Sequence, residues 1–321
     1  MILLPALSNI ELKKGWPWTE ESQIFSRKKA DGSEWPRLTI VTPSYNQGRF
    51  IEETIRSVLL QNYPNLEYII IDGGSNDNTL EIIKKYEPWI TYWISEPDKG
   101  QSDAINKGFQ KATGTYGNWI NSDDLLEKDA LSTIAQSIDF KNGKTVFLGD
   151  YKEIDYNGEV IKISRSDIRK LEELVDLQGY WRNGRSNQIG QQATFFPVRL
   201  FKDVGMLNRD NHYSMDYELW GKFLIAGADF CPVHKTLGAF RVHDGQKISN
   251  RHKTTKSLIK SAVRLINSCH DWRRVKRNYY TRLLMMFSVR YYYGYVRSII
   301  GVRRRVKYLS QKFGIRSGNQ V

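Results

Sequence analysis

Cysteine is scarce in this chain: Cys231 and Cys269 are the two in 321 residues. Two cysteines cannot make a disulfide framework or a cysteine-rich zinc site. Such sparing use fits a reducing cytoplasm. No apolar run approaches the roughly eighteen residues that a membrane-crossing helix needs. The opening MILLPALSNIELKKGW places no basic segment ahead of a long apolar stretch, so no secretory signal is read there. Neither G-x-G-x-x-G nor G-x-x-x-x-G-K-[ST] occurs, and a dinucleotide dehydrogenase and a P-loop nucleotidase both lose their main support. No His-Glu-x-x-His and no G-x-S-x-G elbow occurs either, so neither a zinc protease nor a serine hydrolase is indicated. Internal repeats and low-complexity segments are also lacking.

What is present suits a globular protein with a sizeable core. The chain is 40% hydrophobic and 26% charged, long enough for one large domain or two modest ones. Charge is unevenly spread. Residues 251–321 hold 18 Lys and Arg against one acid, Asp271, while the whole chain carries +13. The first 250 residues are therefore slightly acidic. That balance argues against a main domain that binds nucleic acid, and for a tail that meets something anionic.

Residues 1–36 show no period; Trp16, Pro17, Trp18, Trp35 and Pro36 suggest an irregular arm packing aromatics on a neighbour. From Leu38 the pattern alternates. LTIVTPSY reads as a buried strand, FIEETIRSVLLQ as a helix, LEYIIIDGGS as a strand and TLEIIKKY as a helix. ITYWIS, then SDAINKGFQKA, then YGNWINSDD, then EKDALSTIAQSI continue the alternation. Such a repeat implies parallel strands with crossover helices, which bind ligands beyond the carboxyl ends of the strands. The polar clusters Pro43–Gln47, Asp72–Asp77, Asp98–Asp103 and Asn121–Asp124 fall at those ends. Beyond Lys144 the spacing predicts a hairpin of TVFLGDYKEID and GEVIKIS about Asn157-Gly158. A strand QATFFP, a helix MDYELWGKFLIAG and a last strand GAFRVH follow.

Several residues can carry chemistry, each beside a plainer reading. Asp123 and Asp124 close a strand, where adjacent carboxylates repel and suit a hard divalent ion shared with phosphates. Alternatively, Ser122 or Asp123 caps a helix starting near Leu125. Asp72 precedes Gly73 and Gly74, which allow close approach of backbone to a ligand. The plain alternative is a strand-to-helix turn capped by Asn76, Asp77 or Asn78. Asp216 sits in a first helical turn, displayed for use as a base or simply favoured by the helix dipole. His243 ends a strand ahead of a glycine turn, as a metal or phosphate contact or as an ordinary surface histidine.

Taken in order, LTIVTPSYNQGRFIEETIRSVLLQ, EYIIIDGGSNDNT, SEPDKGQSDAINKGF, NWINSDD and HYSMDYELW resemble glycosyltransferase family 2, from about Leu38 to Ser249. The resemblance implies an α/β fold of GT-A type, a Rossmann-like nucleotide-diphospho-sugar transferase domain with a mostly parallel central sheet. It implies a domain over 37–250 with a nucleotide-binding half (37–125) and an acceptor-binding half (126–250); the arm over 1–36 and the basic region over 251–321, read as helical, flank it. It further implies an inverting hexosyl or hexosaminyl transfer from a nucleotide-diphosphate sugar, a UDP-sugar being expected. The acceptor would be a saccharide or lipid-linked saccharide, the cofactor Mn²⁺ or Mg²⁺, and the setting a bacterial surface polysaccharide.

By the same resemblance, Pro43, Ser44, Tyr45 and Asn46 would line the nucleotide site. Asp72 would hydrogen-bond the base with Gly73 beside it, and Gln101 and Asp103 would sit next to the nucleotide. Asn121, Ser122 and Asp123 align with the family's DxD: Asp123 would bind the metal, with Asp124 beside it. Asp216 aligns with the catalytic base, and His243 with a position that holds metal or diphosphate. The chain departs from the family at Asn121, which brings no charge, and at Met215, where an acid often precedes the base. A non-catalytic nucleotide-sugar-binding module is the alternative that Asn121 raises.

In the tail, Arg282, Arg290, Arg297 and Arg304 fall within about 80° of one another at ~100° per residue, amid Leu, Met, Phe, Tyr, Val and Ile. That resembles an interfacial helix on an anionic leaflet, reached through residues 270–316. Packing on the catalytic domain or in a dimer is the alternative, and no nucleic-acid partner is expected. The location read from these features is the cytoplasm, with peripheral attachment at the inner face of the membrane as the option the tail opens.

Overall fold

The structure is a computed structural model and describes residues 4, 13–138, 143–177, 189–243, 246 and 251–269. The chain divides into two compact units, Met1–Leu265 and Ile266–Val321. Of the second, residues 266–269 are described, so the arginine-spaced helix expected over 279–305 lies outside the described residues. Among the described residues no helix is long and apolar enough to cross a membrane.

The first half follows the alternation expected of it. Strand β1 (Leu38–Ser44) is buried along its whole length, as a continuous apolar and β-branched run requires. Helix α1 (Ile51–Leu59) turns Ile51, Ile55, Val58 and Leu59 inward at helical spacing. Strand β2 (Leu66–Asp72), helix α2 (Thr79–Tyr86), strand β3 (Tyr92–Ser95), helix α3 (Gln101–Lys111) and strand β4 (Tyr116–Trp119) complete this half. The strands run parallel in the order β3-β2-β1-β4. Helix α3 lies tight on β1, because a Cβ at Gly108 would strike the Val41 side chain. Fully buried Ile40, Ile55, Ile70 and Ile83 fill the layer between sheet and helices, each worth about 1.5–3 kcal/mol against exposure.

The second half is less regular. It comprises β5 (Leu125–Leu126), α4 (Ala130–Ser137), β6 (Thr145–Ile154), β7 (Val160–Ser164) and α5 (Leu171–Val175). Strand β8 (Thr194–Pro197), α6 (Val198–Asp203), α7 (Met215–Ile225), β9 (Asp229–Arg241) and α8 (Arg251–Ser268) follow. Beyond β4 the sheet continues β8-β6-β9-β5 with β7 on β6, giving nine strands among the described residues. β8 joins β4 and β6 antiparallel, while β6 and β9 pair parallel.

Three expectations change here. The strand expected to run to Asp124 stops at Trp119, and Asn121–Asp124 form a turn. Leu125 and Leu126, expected to open a helix, pair instead with Ala239 and Gly238 of β9. With the helix starting only at Ala130, neither Ser122 nor Asp123 caps it. The last strand begins at Asp229 rather than Gly238, drawn out by pairing with β6. The hairpin is as expected, with β6 and β7 joined through a turn in which Gly158 has φ +92°.

Candidate active site

The carboxyl ends of the parallel strands are level with one another: Ser44 stands opposite Asp72, and Asp72 opposite Ser95. Asp72 is fully buried. Its Oδ2 accepts from the Gly74 and Ser75 amides (3.0 and 2.8 Å) and the Ser95 hydroxyl (2.7 Å), and its Oδ1 from the Ser75 hydroxyl (2.5 Å). Those four donors engage both oxygens, three on Oδ2 and one on Oδ1, so the side chain shapes the loop. Gly73 is needed for fit: a Cβ there would lie 2.8 Å from Asp98 Oδ2 and 3.4 Å from the Tyr45 ring.

The loop after β1 is laced to the loop after β2. The Asn46 amide donates to Ser75 Oγ (2.7 Å) and the Asn76 amide to Asn46 Oδ1 (2.9 Å). Gln47 and Gly48 amides donate to Thr79 Oγ1 and Asp77 Oδ2 (both 2.9 Å). Asp77 also accepts from the Thr79 amide and so braces the turn into α2, whose N-cap residue Asn78 makes no side-chain cap bond. Asn46 takes φ +52°, a conformation asparagine tolerates. The lacing leaves the Tyr45 ring outside, 58% exposed beside Gly73. Pro43 lies within β1 opposite Ile71. The Ser44 hydroxyl is buried with no hydrogen-bond partner among the described residues.

Helix α3 brings its first turn against the turn after β4. Gln101 Nε2 donates to Asn121 Oδ1 (2.7 Å), and Asn121 Nδ2 donates to Asp124 Oδ2 (2.9 Å). Asp103 is buried, held by Arg209 Nε (2.9 Å) and the Lys99 amide (3.1 Å), so it ties α3 to the approach to α7. Gln191, which periodicity did not single out, offers Oε1 to Asn121 (3.4 Å) and Nε2 to Asn118 (3.2 Å). The Gln191-Gln192 doublet ahead of an apolar strand was the signal available.

Within the turn the two carboxylates separate in role. Ser122 is buried. Asp124, expected beside the metal, is 1% exposed and points inward, accepting from the Arg241 amide (3.0 Å) and from Asn121. Burial, and then the negative charge of Asp123, push its carboxyl well above the ordinary range. It fastens the turn to β9 and displays no oxygen to a ligand. Asp123 is partly exposed, with Oδ2 3.0 Å from His243 Nε2, just past the end of β9. Arg241, 1% exposed, sends Nε to the Asp123 carbonyl (3.1 Å) and Nη2 to Glu53 Oε2 (2.9 Å).

Asp123 and His243 are a carboxylate and an imidazole converging on one point, a donor pair that suits Mn²⁺ better than Mg²⁺. Among the described residues no group of three or more His, Cys, Asp or Glu side chains is gathered to hold an ion. A divalent ion here would thus need oxygens from a substrate, as nucleotide-diphosphate sites arrange.

Asp216 stands in the first turn of α7, where the helix dipole favours its charge. Its Oδ1 accepts from the Tyr217 amide (2.8 Å); among the described residues Oδ2 has no hydrogen-bond partner. Burial pushes its carboxyl above the usual range, with the Tyr217 amide pulling the other way. The neighbouring Met215 takes the Ser102 hydroxyl on its sulfur (2.8 Å), joining α7 to α3. Side-chain bonds thus join His243 to Asp123, Gln101 to Asn121 and Ser102 to Met215, and adjacency along the chain links these contacts to one another and to Asp216.

A sheet that is parallel through β3, β2, β1 and β4 and then turns antiparallel, with acidic turns gathered at one edge, places the molecule among transferases of the GT-A fold. Residues 39–209 match Glycosyl transferase family 2, and the chain belongs to that family. It is 31% identical over 214 residues to an uncharacterized glycosyltransferase of Rickettsia typhi, covering 66% of this chain and 65% of that one. It is 39% identical over 99 residues to the putative teichuronic acid biosynthesis glycosyltransferase TuaG of Bacillus subtilis, covering 30% of this chain and 39% of that protein. The matches thus span 65% or less of these relatives' own lengths. Among solved structures, S. aureus TarS 1–349 in complex with UDP-GlcNAc superposes with a TM-score of 0.54 at 19% identity, over 72% of this chain and 67% of that chain.

Proposed function

We propose that this protein is an inverting, metal-dependent glycosyltransferase that moves a hexosyl or hexosaminyl group from a UDP-sugar to a saccharide or lipid-linked saccharide. The reading is supported by the contacts just described, which tie His243 to the turn bearing Asp123, that turn to α3, and α3 to the helix that bears Asp216. Tyr45, exposed beside the Gly73 turn, offers a ring face to the base. The unpartnered Ser44 hydroxyl and the Asp72-shaped loop form the floor. Asp123 and His243 would hold Mn²⁺ or Mg²⁺, which as a Lewis acid neutralises charge building on the departing diphosphate.

Asp216 Oδ2 takes the proton of the acceptor hydroxyl as that oxygen bonds to the anomeric carbon. The bond from that carbon to the diphosphate breaks on the opposite face, with its electron pair leaving on the phosphate oxygen, so configuration inverts. A carboxyl raised by burial is a better base than an ordinary one. The UDP-GlcNAc complex of the fold neighbour supports the donor class, and the teichuronic acid relative supports bacterial surface polysaccharide as the setting. The basic excess of residues 251–321 supports a cytoplasmic enzyme drawn to an anionic leaflet, where lipid-linked acceptors reside.

Asn121 raises the alternative of a non-catalytic binding module, but it has a structural reason. Its amide donates to buried Asp124, where an aspartate would set a second negative charge. The test is a melting series with nucleotide sugars and Mn²⁺. A UDP-sugar with Mn²⁺ raises the midpoint, since a ligand at 100 times its Kd adds about 2.7 kcal/mol, and Asp123→Ala removes the Mn²⁺-dependent part. If no nucleotide sugar shifts the midpoint with the metal present, the proposal fails.

A further inference from the structure

Helix α8 lies against the N-terminal end of α7 through hydroxyls. Ser214, the N-cap residue of α7, makes no side-chain bond to the first turn of its own helix. Its Oγ instead lies within hydrogen-bond distance of Ser257 Oγ (2.8 Å) and Ser261 Oγ (3.0 Å) of α8 and of Asn211 Oδ1 (3.1 Å), accepting from Ser261 whichever of the other two takes its one proton. Asn211 completes the knot, its Nδ2 donating to Glu218 Oε2 (2.7 Å) and Ser261 Oγ (3.0 Å), and its Oδ1 accepting from Ser257 Oγ (2.8 Å). Arg264, one turn on, pairs with Glu218 (3.3 Å). Ser214 and Ser261 are each 1% exposed, so these are enclosed bonds and not surface contacts.

An N-cap serine ordinarily accepts from the amide two or three residues into the helix. Three residues into α7 that amide belongs to Tyr217, and the Asp216 carboxylate takes it. The Tyr217 amide has two candidate acceptors, Ser214 Oγ and Asp216 Oδ1. The Ser214 hydroxyl is engaged by α8, and Asp216 is thereby left to take that amide on Oδ1, with no bond to Oδ2 among the described residues.

We infer that Ser257 and Ser261 of α8 are positioning residues for the catalytic base, acting by drawing the Ser214 hydroxyl away from the Tyr217 amide. The inference rests on Asp216 being the base. When α8 is docked, Asp216 is held; when its serines are lost, Ser214 caps α7 and Asp216 is released from Tyr217. The first turns of the basic C-terminal region then belong to the catalytic apparatus, although they touch no reacting atom.

The experiment uses the full chain and compares Ser257→Ala/Ser261→Ala with the triple variant that adds Ser214→Ala, following UDP-sugar turnover over donor concentration. General-base contributions are on the order of 10²–10⁴-fold, so partial loss of its orientation lowers kcat of the double variant by at least about tenfold, with donor KM unchanged. The triple variant, having no rival for the Tyr217 amide, recovers kcat to within about threefold of the wild type. A structural role alone makes the triple variant worse than the double, in kcat and in melting midpoint, and that result overturns the inference. Unchanged kcat in the double variant overturns it as well. Asp216→Asn, measured alongside, separates the two readings: turnover surviving that substitution removes Asp216 as base, whereas turnover lost there but intact in the double variant defeats only the role of α8.

Discussion

In the half built from β1 to β4, Asp72 accepts four hydrogen bonds and Asp77 three, all from the chain itself. In the half that follows, and among the described residues, Asp216 accepts one, at Oδ1, and Asp123 is met on Oδ2 alone, by His243 Nε2 at 3.0 Å and Gln246 Nε2 at 3.5 Å. The contrast distinguishes two uses of the same side chain. A carboxylate saturated by its own loop, with both oxygens bonded, fixes backbone; one bonded through a single oxygen is oriented and still reactive. Position near the end of a strand or helix does not separate the uses. Whether both oxygens are engaged does.

The largest expected effect that would break this contrast is at Asp216. Asp216→Asn lowers turnover by on the order of 10²–10⁴-fold, about 3–5 kcal/mol of transition-state stabilisation, with UDP-sugar binding retained in a melting assay. Because burial raises this carboxyl, activity is present above its raised pKa and falls as pH drops through it. The acid limb of a pH–rate profile therefore lies above the ordinary carboxylate range. A limb at the ordinary value removes Asp216 from the role.

Asp72 tests the saturated class. Asp72→Ala strands four donors and costs roughly 2–4 kcal/mol in chemical denaturation. Nucleotide affinity falls with it through disorder of the loop. Full stability with lost nucleotide binding would make Asp72 a ligand contact and erase the distinction. The smallest effect is at the turn. Asn121→Asp sets a charge beside buried Asp124 and costs about 1–2 kcal/mol at neutral pH. That cost requires both carboxylates ionised, so it shrinks as pH falls through the raised pKa of Asp124.

The same two halves differ in how much could be read from residues alone. Parallel strands buried on both faces announce themselves as apolar runs, and β1 and β2 begin where LTIVTPSY and LEYIIIDGGS do, although they stop at Ser44 and Asp72, short of the ends of those runs. Strand β9 hides because its first residues, DFCPVHKT, are largely exposed and keep no strict alternation; pairing with β6 makes them a strand. Leu125 and Leu126 looked like a helix start for the same reason, their partner lying more than a hundred residues onward. Spacing reached Asp123, His243 and Asp216, but not which carboxylate of the Asp123-Asp124 pair faces out. That was decided by Arg241 and Asn121, whose hydrogen bonds leave no trace in periodicity.

Arg241 spans more than the turn it holds. Its guanidinium reaches Glu53 of α1 and the carbonyls of Asp155 and Tyr156 at the hairpin tip, while its own amide engages Asp124. One helix and two loops from distant stretches of chain are clasped by one residue. Swapping the hairpin of a relative into this chain would therefore have to transplant a matching clasp, or the graft would loosen the turn that carries Asp123.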